Sequence, residues 1–183
     1  MDIIKQNGIV VSTQPLVLSS GEKSNYYYDL KMVLTEPVGA TLVGELLFEL
    51  VTSEFGAKSV GGLEMGAVPI ASAIIISSIM KDSSKGIKQF IVRRNVKDHG
   101  SRKSVEGHLI DPVVVVDDVM TRGNSVINAI EAVRNEGYST RGVAVVIDRE
   151  VPLNQVRDSV KCLSIFKHSD FSGYIVEKLK HLS

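Results

Sequence analysis

The sequence predicts an α/β fold, a central parallel β-sheet flanked by helices, with a small N-terminal lobe beside it. Three observations carry this. Segments 113–116 and 143–147 are near-continuous apolar runs, rich in valine, of the kind that parallel strands covered on both faces require. Stretches with a three- and four-residue apolar period alternate with such runs along the chain. Finally, 183 residues with 44% hydrophobic and 23% charged content leave room for one domain, residues 1–183, able to bury roughly 70% of its unfolded surface.

The elements follow in order. Residues 1–35 do not fit the alternation and are assigned to a hood over one sheet edge. Pro37 opens a helix whose apolar stripe is Val38, Leu42, Val43, Leu46, Leu47, Leu50 and Val51, with Glu45 and Glu49 off the stripe and Gly56 after it. A strand is expected over 59–63. A helix over 70–80, apolar nearly all round, reads as buried on several sides. Strands follow at 88–93 and 112–118, then a helix over 126–133 closed by Gly137, strands at 141–148 and 161–166, and a last helix over 170–179. Successive strand–helix–strand units favour right-handed parallel crossovers.

Composition excludes several function classes. Twenty-one basic residues balance twenty-one acidic ones, so no global field favours nucleic acid or an anionic membrane surface. Strictly apolar runs such as Val113 to Val116 fall far short of the ~20 residues of a membrane span. The first residues lack the pattern of a secretion signal, and a cytoplasmic location is expected. The single cysteine, Cys162, excludes an internal disulfide. Cys162 shares one face of a period-two pattern with Val160, Ser164 and Phe166, so it reads as a strand-face thiol rather than a nucleophile. His99, His108, His168 and His181 show no metal-ligand spacing.

Ligands of open parallel sheets bind at the carboxyl ends of the strands, so the turns leaving strands hold the candidate chemistry. The richest is the segment 113–125, VVVVDDVMTRGNS. Loop amides and hydroxyls from Thr121 to Ser125, ahead of a helix N-terminus, form a cradle for one phosphate. Asp117 and Asp118 suit ribose hydroxyls or Mg²⁺, which takes oxygen ligands. The alternative is a capped strand end, with Gly123 merely allowing the turn. Neither a Walker-type loop nor a dinucleotide fingerprint occurs.

The thirteen residues of this segment resemble the phosphoribosyl pyrophosphate (PRPP) motif of the type I phosphoribosyltransferases. Three further segments narrow the resemblance to the orotate phosphoribosyltransferase family over nearly the whole chain: 20–31 (SGEKSNYYYDLK), 61–71 (GGLEMGAVPIA) and 93–100 (RRNVKDHG). The resemblance implies the type I phosphoribosyltransferase fold and transfer of ribose 5-phosphate from PRPP to orotate. The products it implies are orotidine 5'-monophosphate and pyrophosphate, in pyrimidine biosynthesis. It implies a PRPP site formed by Arg93, Arg94, Lys97, His99, Asp117, Asp118, Val119, Met120, Thr121, Arg122, Gly123, Asn124 and Ser125. Of these, Lys97, His99 and Asp118 are the expected catalytic residues. Orotate is expected on Arg149, Thr121, Tyr27 and Tyr28. Mg²⁺ is expected as cofactor, held mainly by PRPP and water, and a homodimer is expected in which active sites are shared between subunits.

Residues 93–107 hold five basic side chains against Asp98 and Glu106, an excess of three in a chain of zero net charge. On sequence alone that is a solvated surface loop, and only the resemblance makes it a pyrophosphate clamp. Arg149 is likewise open to a surface-charge reading, and Tyr27 and Tyr28 to a lobe-core one. Three positions depart from the family pattern: Ser19 and Gly66 stand where some members carry lysine, and Arg94 where many do. Two other functions share the PRPP loop, transfer to a purine or uracil base and PRPP sensing by a regulatory protein. The ~20 residues before Ser20 are too few for a helix-turn-helix reader.

Overall fold

The computed structural model describes residues 1–17, 21, 23–81, 84, 86–94, 104–152 and 154–182. A six-stranded sheet runs β5-β4-β3-β6-β7-β8, made of β3 (Ser59–Leu63), β4 (Lys88–Val92), β5 (Val105–Gly107), β6 (Val113–Met120), β7 (Thr140–Asp148) and β8 (Cys162–Lys167). All pairings are parallel except β4 with β5. The expected parallel sheet is therefore present, with one short antiparallel edge strand that the sequence did not announce.

The valine run explains the layering. Val113 and Val115 point into one apolar cluster and Val114 and Val116 into another, and all four are fully buried. Val143 and Val145 against Ala144 and Val146 repeat this on β7. Period-two side chains that are apolar on both faces need cover on both faces. Helices α3 (Pro37–Phe55) and α4 (Ala67–Lys81) supply one cover, and α5 (Asn124–Asn135) the other. Pro37 starts α3, and Gly56 ends it in the left-handed conformation at φ 63.

Two expectations about these helices change. Val38, Leu42 and Leu46 of the predicted stripe are 63%, 47% and 44% exposed, so the buried face of α3 is narrower and centres on Val43, Leu47 and Val51. On α4, Ile76, Ile79 and Met80 are exposed too, although its composition reads as burial on several sides. Among the described residues, the chain's own elements meet only part of each apolar surface.

The N-terminal residues form α1 (Asp2–Asn7), a two-stranded antiparallel sheet of β1 (Ile9–Val17) and β2 (Lys23–Tyr28), and the short α2 (Lys31–Leu34). They sit against the far end of the chain. The Tyr174 hydroxyl, on α7 (Ser172–Leu182), donates to the Lys5 carbonyl at 2.6 Å, and Tyr28 Oη lies 2.9 Å from His168 Nδ1. A five-residue helix, α6 (Gln155–Ser159), precedes β8 where no helix was expected. The alternation on β8 holds for Cys162 against Leu163 and Ile165 but ends at Phe166, which packs on Phe171 at 5.5 Å. Among the described residues no helix is long and apolar enough to cross a membrane.

Candidate active site

Strands β3, β6 and β7 end at one cleft of about 630 Å³, lined among others by Tyr27, Lys31, Glu64, Gly66, Arg94, Asp117, Asp118, Thr121, Ser125 and Arg149. Strand β6 runs two residues beyond the expected end, so the acidic pair lies inside its last turn of ladder rather than after it. Asp117 is 8% exposed and Asp118 less buried. Each carboxylate takes the next amide: the Asp118 N–H donates to Asp117 Oδ1 at 3.0 Å, and the Val119 N–H to Asp118 Oδ1 at 2.7 Å. Burial, then the neighbouring Asp118 charge, pushes the Asp117 carboxyl well above the usual carboxylate range, and the Arg94 charge opposes this. A ligand that donates hydrogen bonds here relieves that crowding.

The turn after β3 closes on the pair. A Cβ at Gly66 would lie 2.7 Å from Asp117 Oδ1 and 3.0 Å from Asp118 Oδ1, so this chain has little room for a side chain where some family members carry lysine. Glu64 ties the turn to β4: its N–H donates to the Val92 carbonyl at 2.9 Å, and its Oε1 accepts from the Arg94 N–H at 2.9 Å.

The loop after Met120 leads through Gly123, the N-cap residue, into α5 at Asn124. Gly123 adopts φ 84, and a Cβ there would meet Val156 Cγ2 at 2.4 Å. Asn154, 4% exposed, clamps the loop: its side-chain amide donates to the Thr121 carbonyl at 3.0 Å while its Oδ1 accepts from the Val156 N–H at 3.0 Å. The sequence reading missed Asn154, although an Asn two residues after a proline, before a short polar stretch, is an N-cap signal.

The predicted residues divide as follows. Asp117, Asp118, Val119, Thr121, Ser125, Arg94, Arg149, Tyr27 and Tyr28 all line the cleft. Met120 is 1% exposed, with its side chain in the core and its carbonyl accepting from the Arg149 N–H at 2.9 Å. Arg122 and Asn124 are exposed and off the cleft wall. Arg93 turns away to pair with Glu106 at 2.5 Å. Lys97 and His99 lie outside the described residues, as does Ser19. Lys31 was not anticipated. Its ammonium stands 3.1 Å from Asp29 Oδ1 and 3.4 Å from the Tyr27 hydroxyl, and the Asp29 bond raises its pKa.

Arg149 is not the surface ion pair that one reading allowed. Among the described residues it is Arg157 that pairs with Asp148, while the Arg149 guanidinium lies over the Tyr26 ring with its buried Nε unpartnered. A buried donor without an acceptor is costly, and its usual explanation is a ligand or an ordered water. Cys162 is away from the cleft, and burial pushes its thiol up to about 11, which disfavours the reactive thiolate. Cys162→Ala is therefore expected to keep turnover within about twofold in steady-state assays, since a small change away from the cleft usually costs little. Loss of activity would return it to the nucleophile reading.

Residues 29–176 match the phosphoribosyl transferase domain family. The orotate phosphoribosyltransferase of Aquifex aeolicus is 40% identical over 174 residues, 92% of this chain and 93% of that protein. The crystal structure of orotate phosphoribosyltransferase from Aeropyrum pernix superposes with a TM-score of 0.69 at 27% identity, covering 98% of both chains. That of the Mycobacterium tuberculosis H37Rv enzyme in complex with PRPP does so with a TM-score of 0.67 at 29% identity, covering 79% of this chain and 82% of that one.

Proposed function

The chain belongs to the orotate phosphoribosyltransferases within the phosphoribosyl transferase domain family, and from that premise we propose how its cleft performs the transfer. The observation that carries the assignment is the meeting, in one cleft, of an acidic pair, a loop at a helix N-terminus and an arginine whose buried Nε has no partner among the described residues. Thr121 to Ser125 take the 5-phosphate of PRPP on main-chain amides and hydroxyls. Asp117 and Asp118 accept hydrogen bonds from the ribose hydroxyls. Arg149 takes the orotate carboxylate, with Thr121 beside it and Tyr27 against the pyrimidine.

In the reaction the anomeric C–O bond of PRPP breaks, its electron pair leaves with pyrophosphate, and a C–N bond forms to orotate, which loses its ring proton. Positive charge grows on the ribosyl carbon, and Asp118 complements it. Negative charge grows on pyrophosphate, and Arg94, Lys97 and His99 are assigned to it, with Arg93 joining only by leaving Glu106. Mg²⁺ fits as a partner of the diphosphate rather than of a protein cage: the acidic pair has carboxylate oxygens to offer, but among the described residues no three potential ligands cluster. When bound, the metal neutralises diphosphate charge.

We read residues 1–183 as one catalytic domain, with about residues 1–35 as its hood, working in the cytoplasm as a homodimer. The exposed Ile76, Ile79 and Met80 border an apolar groove of about 530 Å³, a surface of the kind a second copy covers. Neither nucleic acid nor membrane is needed as a partner.

The deciding assay mixes the purified protein with Mg-PRPP and orotate and follows loss of orotate absorbance, with uracil, adenine and hypoxanthine in parallel. Equal or better turnover of any of those bases would overturn the orotate assignment. Asp118→Asn is expected to keep the fold and lower turnover by about tenfold to a hundredfold at saturating substrates, because the amide keeps the size but loses the charge. Turnover within a few-fold of the parent would mean that the pair chiefly orders the strand end.

A further inference from the structure

Behind the cleft wall, Tyr26 and Tyr28 of β2 form with His168 an aromatic cluster that ends on Arg149. The Arg149 guanidinium carbon stands 4.6 Å from the centre of the Tyr26 ring. Tyr26 in turn stacks on the His168 imidazole at 5.0 Å with planes 9° apart. Tyr28 meets Tyr26 edge-on at 5.6 Å and hydrogen-bonds His168 at 2.9 Å, and its own ring packs at 5.9 Å on Phe171, which is fully buried. Tyr26 is thus braced to the core while lying outside the cleft lining.

The acidic neighbours of Arg149 in sequence are both occupied elsewhere. Asp148 pairs with Arg157 and accepts the Glu150 N–H at 2.8 Å. Glu150, at φ 56, sends its Oε2 to the Ser169 N–H at 2.8 Å. Neither carboxylate pairs with Arg149, which is half-buried with its guanidinium over a ring face. An arginine carries large rotamer entropy, and a stacked guanidinium has given much of it up before the ligand arrives.

We propose that Tyr26 is a positioning residue for base recognition: its ring, braced by His168 and Tyr28, holds the Arg149 guanidinium ready for the carboxylate of the incoming base. This rests on the reading of Arg149 as the orotate contact. Tyr26 touches no substrate and acts through Arg149 alone.

The test is a double-mutant cycle read as orotate and PRPP affinities. Tyr26→Leu removes the ring face and is expected to weaken orotate binding about tenfold, the scale of a partly desolvated cation–π contact, with PRPP affinity as the internal control for folding. Tyr26→Phe keeps the face and should stay within about twofold of the parent, since the quadrupole is retained. Tyr26→Met fills similar volume without a ring and replaces the leucine variant should that chain not fold. In an Arg149→Ala background the Tyr26 change should cost orotate nothing further, because the group it positions is gone. Orotate affinity unmoved by Tyr26→Leu or Tyr26→Met, or lowered equally in the Arg149→Ala background, overturns the positioning role while leaving Arg149 as the orotate contact. Orotate affinity unmoved by Arg149→Ala itself overturns the parent reading, and the positioning role with it.

Discussion

Arg149→Ala is expected to weaken orotate binding by about 2–5 kcal/mol, the cost of stranding a charge in a pocket built for its partner. PRPP binding should change little, since the phosphate loop, the acidic pair and Arg94 are all intact in this variant. The magnitude rests on local geometry. Arg149 is half-buried, its Nε has no acceptor among the described residues, and the carboxylates on either side of it are held by Arg157 and Ser169. A guanidinium so placed is not already satisfied, so its interaction with a ligand carboxylate replaces little within the protein. Arg149→Lys should recover only part of the loss, because an ammonium keeps the charge but not the two-pronged donor geometry that matches a planar carboxylate. Calorimetric titration of each ligand separately decides the matter. An unchanged orotate affinity in the alanine variant would make Arg149 a structural charge that merely rests on Tyr26.

Much of the fold was legible because burial on both faces of a sheet leaves a local mark: Val113 to Val116 of β6 and Val143 to Val146 of β7 alternate between two apolar clusters. The edges left weaker marks. Strand β5 has three residues, one of them buried, and follows a charged segment with no period. Helix α6 has five residues and only Val156 buried, too short for a stripe. The exposed apolar rows of α3 and α4 show a different limit. Composition records that a surface prefers cover but not which chain supplies it.

Placement at the cleft was legible for residues at or just beyond the end of a strand, as for Asp117, Asp118, Thr121, Ser125 and Arg149. It was less legible where adjacent residues of like type diverge. Arg93 and Arg94 read as a pair, yet Arg93 donates its N–H to Ser104 and its side chain to Glu106 across the β4–β5 edge, while Arg94 reaches the cleft. The three tyrosines of β2 divide in the same way. Tyr26 and Tyr28 share the face that meets His168, and Tyr27 faces Lys31. Which of two neighbours faces a ligand is set by the pleat and by the partner strand, and a motif gives neither.

The shared-site reading predicts that two inactive chains make an active mixture. If each site combines Arg149 of one subunit with Lys97 of the other, Lys97→Ala and Arg149→Ala chains are each damaged at both sites of their own homodimers. Unfolded and refolded together in equal amounts, they should give about half heterodimers by random pairing across a symmetric interface. Each heterodimer then holds one site lacking both side chains and one lacking neither. Steady-state activity should recover to roughly a quarter of the parent value, provided that the two sites work independently. Mixing without unfolding is the control, and it should recover less wherever subunits exchange slowly. If Lys97 instead serves the site of its own subunit, every site in every dimer carries one lesion. Activity after co-refolding would then stay at the average of the two variants, and sharing between subunits would have to be given up.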